Sequence, residues 1–181
     1  MKRLTKPLMR TMLIKIKITN KTNSEILKTQ INSIINIELE DYVFCVVAAE
    51  IGNAPYEACC AQAIASRTLA YSHYLRNNII SDNSKRWQAF RAKALYEKDK
   101  YPNIKLAIEN TKNLILTYDN KCILEPVFSA NNGGMTISSK QRWGHDIPYL
   151  ISQIDEYDTN PRRGHGVGLS QEGAIARAKA G

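Results

Sequence analysis

Nowhere in the 181 residues does an apolar run approach the ~18 uninterrupted residues of a membrane span. The opening MKRLTKPLMRTMLIKIKITNK has the basic start of a signal peptide, but Lys15 and Lys17 interrupt what should be its apolar stretch, so no signal peptide is read. Cys45, Cys59, Cys60 and Cys122 show neither a CxxC pair nor other metal-ligand spacing, and they read as buried thiols of a reducing compartment. His73, His145 and His165 are scattered, so neither a metal nor another cofactor is expected. Phosphate-binding glycine motifs are also missing. Leu169-Ser170-Gln171 follow Gly166 and Gly168, which leaves GxGxxG incomplete, and no GKS or GKT is present.

Charge of one sign is missing locally. The first 24 residues hold seven basic side chains and no acid, whereas Glu38 to Ser66 holds five acids and no base. The net charge of +8 suits a polyanionic partner, and nucleic acid and anionic envelope polymers both qualify. No recognition helix or RNP-type aromatic motif supports nucleic acid, so none is expected as a partner. Hydrophobic content of 44% and charged content of 23% are those of an ordinary globular fold.

LIKIKI (Leu13 to Ile18) alternates with the period of a half-buried strand, and Ile26 to Leu39 reads as a second extended stretch. A helix is expected from about Glu40 to Ile51, stopped by Gly52-Asn53, and another from Pro55 to about Leu75. The second is rich in alanine and small residues, which allows close approach by neighbours and places it centrally. Asn77 to Arg86 reads as a loop and Ile104 to Thr111 as a helix. NLILTYDNKCILEPVF reads as a hairpin turning at Asp119-Asn120. SANNGGMT is irregular, and RRGHGVGLSQEGAIARAKAG is a glycine loop entering a helix. The expected fold is α+β: a single mixed α/β domain over 25–181, with the central Ala-rich helix on a mostly antiparallel sheet, preceded by a basic segment, 1–24, that is partly a strand.

Glu50 is the residue that composition does not explain. Val43, Val47 and Glu50 are spaced i, i+4 and i+7 and share one helical stripe, while Asp41 falls on the other side in the first turn, where the helix dipole favours an acid. A carboxyl group held against apolar neighbours loses hydration in its charged form and keeps its proton more tightly, which suits a general acid. From the stripe alone, a helix-end glutamate reaching water or pairing with an arginine is the simpler account. Arg67 shares a stripe with Cys60, Ile64, Tyr71 and Tyr74, so its guanidinium needs an acidic partner, with Glu50 and Glu109 as candidates. Glycines around His165 let backbone amides approach a ligand, with the imidazole, Ser170 and Gln171 adding hydrogen bonds. Neutral polar groups beside a stackable Trp143 suit sugar, although a glycine turn, a half-buried Trp and a capping Ser are common without one.

Four stretches in order, LEDYVFCVVAAEIGNAPYEACCAQAIASRTLA, VFSANNGGMT, RWGHDIPYL and GHGVGLSQEGA, resemble the stage II sporulation protein D (SpoIID) and LytB amidase-enhancer family across roughly Leu39 to Gly181. The resemblance implies a mixed α/β domain acting on peptidoglycan, and hence at the cell envelope or its outer side. Its sporulation members resemble lytic transglycosylases that cut strands already stripped of stem peptides, with Glu50 at the position of the catalytic acid. It also implies glycan binding by Arg67, by Ser129, Asn131, Gly133 and Gly134 of the S-x-x-x-GG loop, and by His165, Ser170 and Gln171 of the last loop. The resemblance also implies an N-acetylmuramoyl-L-alanine amidase as a partner, and a non-catalytic enhancer as the alternative function.

Three departures accompany the resemblance. NNIISDNSKRWQAFR lacks the cysteines and histidines with which some members bind zinc. Only Ile151 to Gly164 separate the PYL motif from the GHG loop, so any second lobe should be reduced. The sequence ends at Gly181 where relatives continue, which together with the absent leader fits a phage or mobile-element product or a partial gene.

Overall fold

The computed structural model describes Lys2–Arg3 and residues 12–181. β1 (Lys2–Arg3) pairs antiparallel with a later strand, while residues 4–11 of the basic segment lie outside the described residues. β2 (Leu13–Lys17) buries Ile14 and Ile16 and exposes Leu13, Lys15 and Lys17, the alternation that its sequence prescribes. A short helix, α1 (Lys21–Ile26), follows, capped by the Asn20 side chain, which accepts from the Asn23 amide. The extended stretch expected from Ile26 is therefore confined to β3 (Ile34–Glu38), because Lys28 and Asn32 at positive φ turn the chain first.

α2 (Leu39–Glu50) is buried on every side from Tyr42 to Ala48, so the apolar run is a core helix rather than a striped one. α3 (Tyr56–Leu75) occupies the centre as expected, and its small residues let helices approach closely. It packs against α2, α4 (Pro102–Asn110) and α6 (Gln171–Ala180), and against β2 and β5 (Leu114–Ile115). Helices thus cover more of it than the expected sheet does. Among the described residues the strands are shared among four small sheets. β3 and β4 (Ile80–Ser81) flank β2, the first antiparallel and the second parallel. β1 pairs with β5. β6 (Thr117–Tyr118) and β7 (Lys121–Cys122) form the hairpin, with Asp119 at φ 48° and Asn120 at φ 59° making its turn.

The fourth sheet joins distant segments: β8 (Phe128–Ser129) runs parallel to β9 (Leu169–Ser170). Phe128 therefore leaves the expected hairpin. Between these strands lies α5 (Ser139–Trp143), started by a Ser138–Gln141 capping box and ended by Gly144 at φ 81°. Two 3₁₀ turns, Ala92–Tyr96 and Lys98–Lys100, lead into α4. The result is a single α+β domain with one principal hydrophobic core built around α2 and α3. Among the described residues no helix is long and apolar enough to cross a membrane.

Candidate active site

Glu50 is the last residue of α2, where burial gives way to half-exposure and Gly52 turns the chain away. A helix C-terminus disfavours negative charge, so stability alone does not place an acid there. Both carboxylate oxygens are held: the Ala89 amide donates to Oε1 at 2.7 Å and the Gln171 side-chain amide donates to Oε2 at 3.0 Å. Ala89 is itself fixed. Its loop is anchored at one end by Asp82, which accepts from Thr19, Asn20 and Asn23, and at the other by Asn23, which bonds the Phe90 carbonyl and the Ala92 amide. Gln171 begins α6 directly after its cap, Ser170. Residues 121 positions apart thus meet, and the GHG loop comes to the end of the VVAAE run.

Glu50, Gln171, His165 and Ser129 line one groove of about 750 Å³. Its walls also include His73 and Trp87, whose rings meet edge to face at 4.7 Å, two residues that no spacing in the sequence singles out. Burial, aided by Arg76, pushes His73 down to about 4. Burial also lowers His165 below the usual imidazole range, against a partial restoring effect of the Phe128 backbone and with Arg142 adding to the fall. The Val167 amide donates to His165 Nδ1, so that nitrogen is unprotonated. Both shifts favour the neutral imidazole, and Glu50 is the groove carboxyl held by a backbone amide and a side-chain amide together. Trp143 stands beside the groove, 38% exposed, its ring centroid 5.5 Å from that of His165.

The other expected glycan contacts have inward-facing work. Asn131 and Ser170 are buried, and both donate to the carboxylate of buried Asp158, as does the Asn132 amide. Ser129 accepts from the Gly166 amide, tying the S-x-x-x-GG loop to the GHG loop. Gly133 and Gly166 lie under the Arg162 side chain, which bonds the Asn132 and Met135 carbonyls. A Cβ on Gly166, at φ 70°, would sit 2.7 Å from Arg162 Nε. At Gly168 it would collide with the Val127 carbonyl, so β8 and β9 approach closely only because that position is glycine. Gly134 closes an Asn132 side-chain turn. Asn131, Gly133, Gly134 and Ser170 therefore shape the groove's loops from behind.

Arg67 is a correction. It has no exposed surface, so it does not line the groove, and its partner is neither Glu50 nor Glu109. Its guanidinium forks onto Glu40, Nε to Oε1 at 3.0 Å and Nη2 to Oε2 at 2.8 Å, while Nη1 reaches the Thr111 hydroxyl and the Leu114 carbonyl. Among the described residues no three His, Cys, Asp or Glu side chains converge as metal ligands.

Asp158 yields a pH prediction. Burial would raise its pKa, but hydrogen bonds from Ser170, Asn132 and Asn131 outweigh that and hold it below the usual carboxylate range. A depressed folded value means stability that is full above the unfolded value of about 4 and is lost as pH falls through the folded one. Asp158→Asn should lower the urea midpoint at pH 7, by about 1–3 kcal/mol in stability, and flatten the parent's decline below about pH 4. An unchanged acid limb would show that Asp158 does not carry it.

The stage II sporulation protein family model matches residues 27–118, which include Glu50 and Arg67. Stage II sporulation protein D of Bacillus subtilis is 33% identical over 146 residues, covering 72% of this chain and 42% of that protein. Its Bacillus amyloliquefaciens counterpart is 34% identical over the same length. The amidase enhancer of B. subtilis is 33% identical over 116 residues, 64% of this chain and 15% of that protein. The chain thus spans less than half the length of these curated relatives.

Proposed function

The chain belongs to the stage II sporulation protein D family, whose proteins act on the cell wall, and from that premise we propose that its groove is the active site of a peptidoglycan lytic transglycosylase. The observation that supports this reading is Glu50, a carboxyl group at the end of a core helix, oriented through both oxygens and open to a groove large enough for sugar rings. Protonated Glu50 gives its proton to the oxygen linking N-acetylmuramic acid to N-acetylglucosamine as the C1–O bond breaks and positive charge develops on the muramoyl ring. The carboxylate then takes the proton of the muramoyl C6 hydroxyl while O6 bonds to C1. The acid is regenerated, no water is consumed, and the strand ends in a 1,6-anhydro ring.

Gln171 suits this cycle. Its NH₂ donates to the ionised carboxylate, and a half-turn of the same amide presents its carbonyl to a protonated Glu50. One partner thereby serves both states of the acid. Ala89, a fixed backbone donor, keeps Oε1 in place throughout. The neutral His165 and the Trp143 ring supply a hydrogen-bonding and stacking wall for sugar.

The test is digestion of strands that an amidase has stripped of peptide, followed by mass spectrometry. Muramoyl ends lighter by one water support the reading, and reducing ends alone replace it with hydrolysis. Similarity to the amidase enhancer favours a second reading, a glycan-binding activator of an amidase. That reading holds if nothing is cleaved while an added amidase is stimulated.

A further inference from the structure

Arg76, Lys85, Arg86 and Arg163 all line the groove that holds Glu50, and all four are exposed. Among the described residues two carboxylates, Glu50 and Glu125, line that groove with them. Among the described residues none of the four cations forms a salt bridge, although ion pairs occur elsewhere on the protein at Lys21, Arg67, Lys93, Lys98 and Lys100. Arg76 is steadied by the Ser72 carbonyl and hydroxyl, which leave its charge uncompensated. A cleft lined by unpaired charge of one sign concentrates ligands of the other. Neutral sugar would give these cations nothing to neutralise.

Resting on the transglycosylase reading of the same groove, we propose that these cations select the strand by binding the free lactyl carboxylates of muramoyl residues. In a peptide-bearing strand each such carboxyl is an amide and carries no charge there. Removing the peptide restores one anion per disaccharide along the strand, a regular row that a cationic groove reads and an amide-capped strand does not present. Lys85 and Arg86 stand on the loop that also delivers the Ala89 amide to Glu50, so the reading element and the acid's anchor share one segment. The guanidinium groups can fork onto a carboxylate, and Lys85 contributes a point charge.

The test uses the full chain carrying Glu50→Gln, which holds glycan without consuming it, titrated calorimetrically with three tetrasaccharides: neutral chitotetraose, a muramoyl form with free lactyl carboxylates, and the same form capped as methylamides. The free form should bind about tenfold more tightly than the capped one at low salt, as expected for two or more exposed charge pairs. The gap should close near 1 M salt, where the screening length falls to about 3 Å. Adding Lys85→Ala and Arg86→Ala should shrink the gap to about twofold; both side chains are exposed, and a melting curve checks that the fold persists. Equal affinity for free and capped forms, or a gap untouched by the double substitution, overturns the proposal. So does equally tight binding of a glycerol phosphate oligomer, which makes the groove a general polyanion surface. If the parent cleaves both forms equally well, the transglycosylase reading survives and this one fails. A parent that cleaves neither form yet keeps the affinity gap removes the enzyme reading and leaves the carboxylate reading standing.

Discussion

Glu50→Gln should abolish cleavage of peptide-stripped glycan, by at least the ~10²–10⁴-fold that a positioned general acid contributes, while glycan affinity stays within about twofold of the parent's. The geometry makes this a clean substitution. A glutamine at position 50 offers its carbonyl to the Ala89 amide that now bonds Glu50 Oε1, and its NH₂ to a Gln171 amide turned to present oxygen. Shape and hydrogen bonding survive, and only the transferable proton is lost. Activity equal to the parent's would remove Glu50 from the chemistry. A parent that cleaves nothing, with both proteins stimulating an amidase alike, would leave Glu50 an anchor for the Ala89 loop and the last helix.

What the sequence made legible is what local patterning controls. The bounds of α2 and α3 follow from Gly52-Asn53 and Pro55 between two apolar runs, and the hairpin turn from two residues that tolerate positive φ. The β2 alternation follows from its lysines. Long-range pairing left no such trace. β8 meets β9 across about forty intervening residues, and Gln171 meets Glu50 across 121 positions; the family resemblance grouped their motifs, and no spacing rule could. α1 and α5, of six and five residues, are fixed by Asn20 and Ser138 caps and are too short for a periodic signal. Asp158 is one of several acids in its segment, and nothing local marks it as the carboxylate on which two loops converge. Backbone donors such as Ala89 have no side-chain signature at all. Glycan binding by Asn131 is implied by the family resemblance alone, and by Ser170 through both the resemblance and its glycine loop; the structure turns both side chains onto Asp158, because such loops need internal polar ties when so few of their side chains can pack.

Arg67→Ala should cost the fold about 3–5 kcal/mol, the usual penalty for breaking a buried ion pair from one side. The need for an acidic partner was readable from a guanidinium on an apolar stripe. Its identity was not, because Glu40 looks like an ordinary first-turn acid on a different helix. The pair is bidentate, and the same guanidinium also binds Thr111 at the end of α4 and the Leu114 carbonyl of β5. One side chain therefore joins α2, α3, α4 and β5, and alanine would leave a half-buried carboxylate, an unpaired carbonyl and a cavity. The melting temperature should fall by about 10 °C for a chain of this size. Arg67→Lys should recover only part of the loss, since an ammonium cannot reproduce the fork. The double variant Arg67→Met with Glu40→Met should be more stable than Arg67→Ala, because it removes both charges and refills the space. Glycan affinity, measured at low temperature on the fraction that remains folded, should match the parent's, because Arg67 is sealed from the groove. An alanine variant that melts like the parent but loses glycan affinity would return Arg67 to the binding surface.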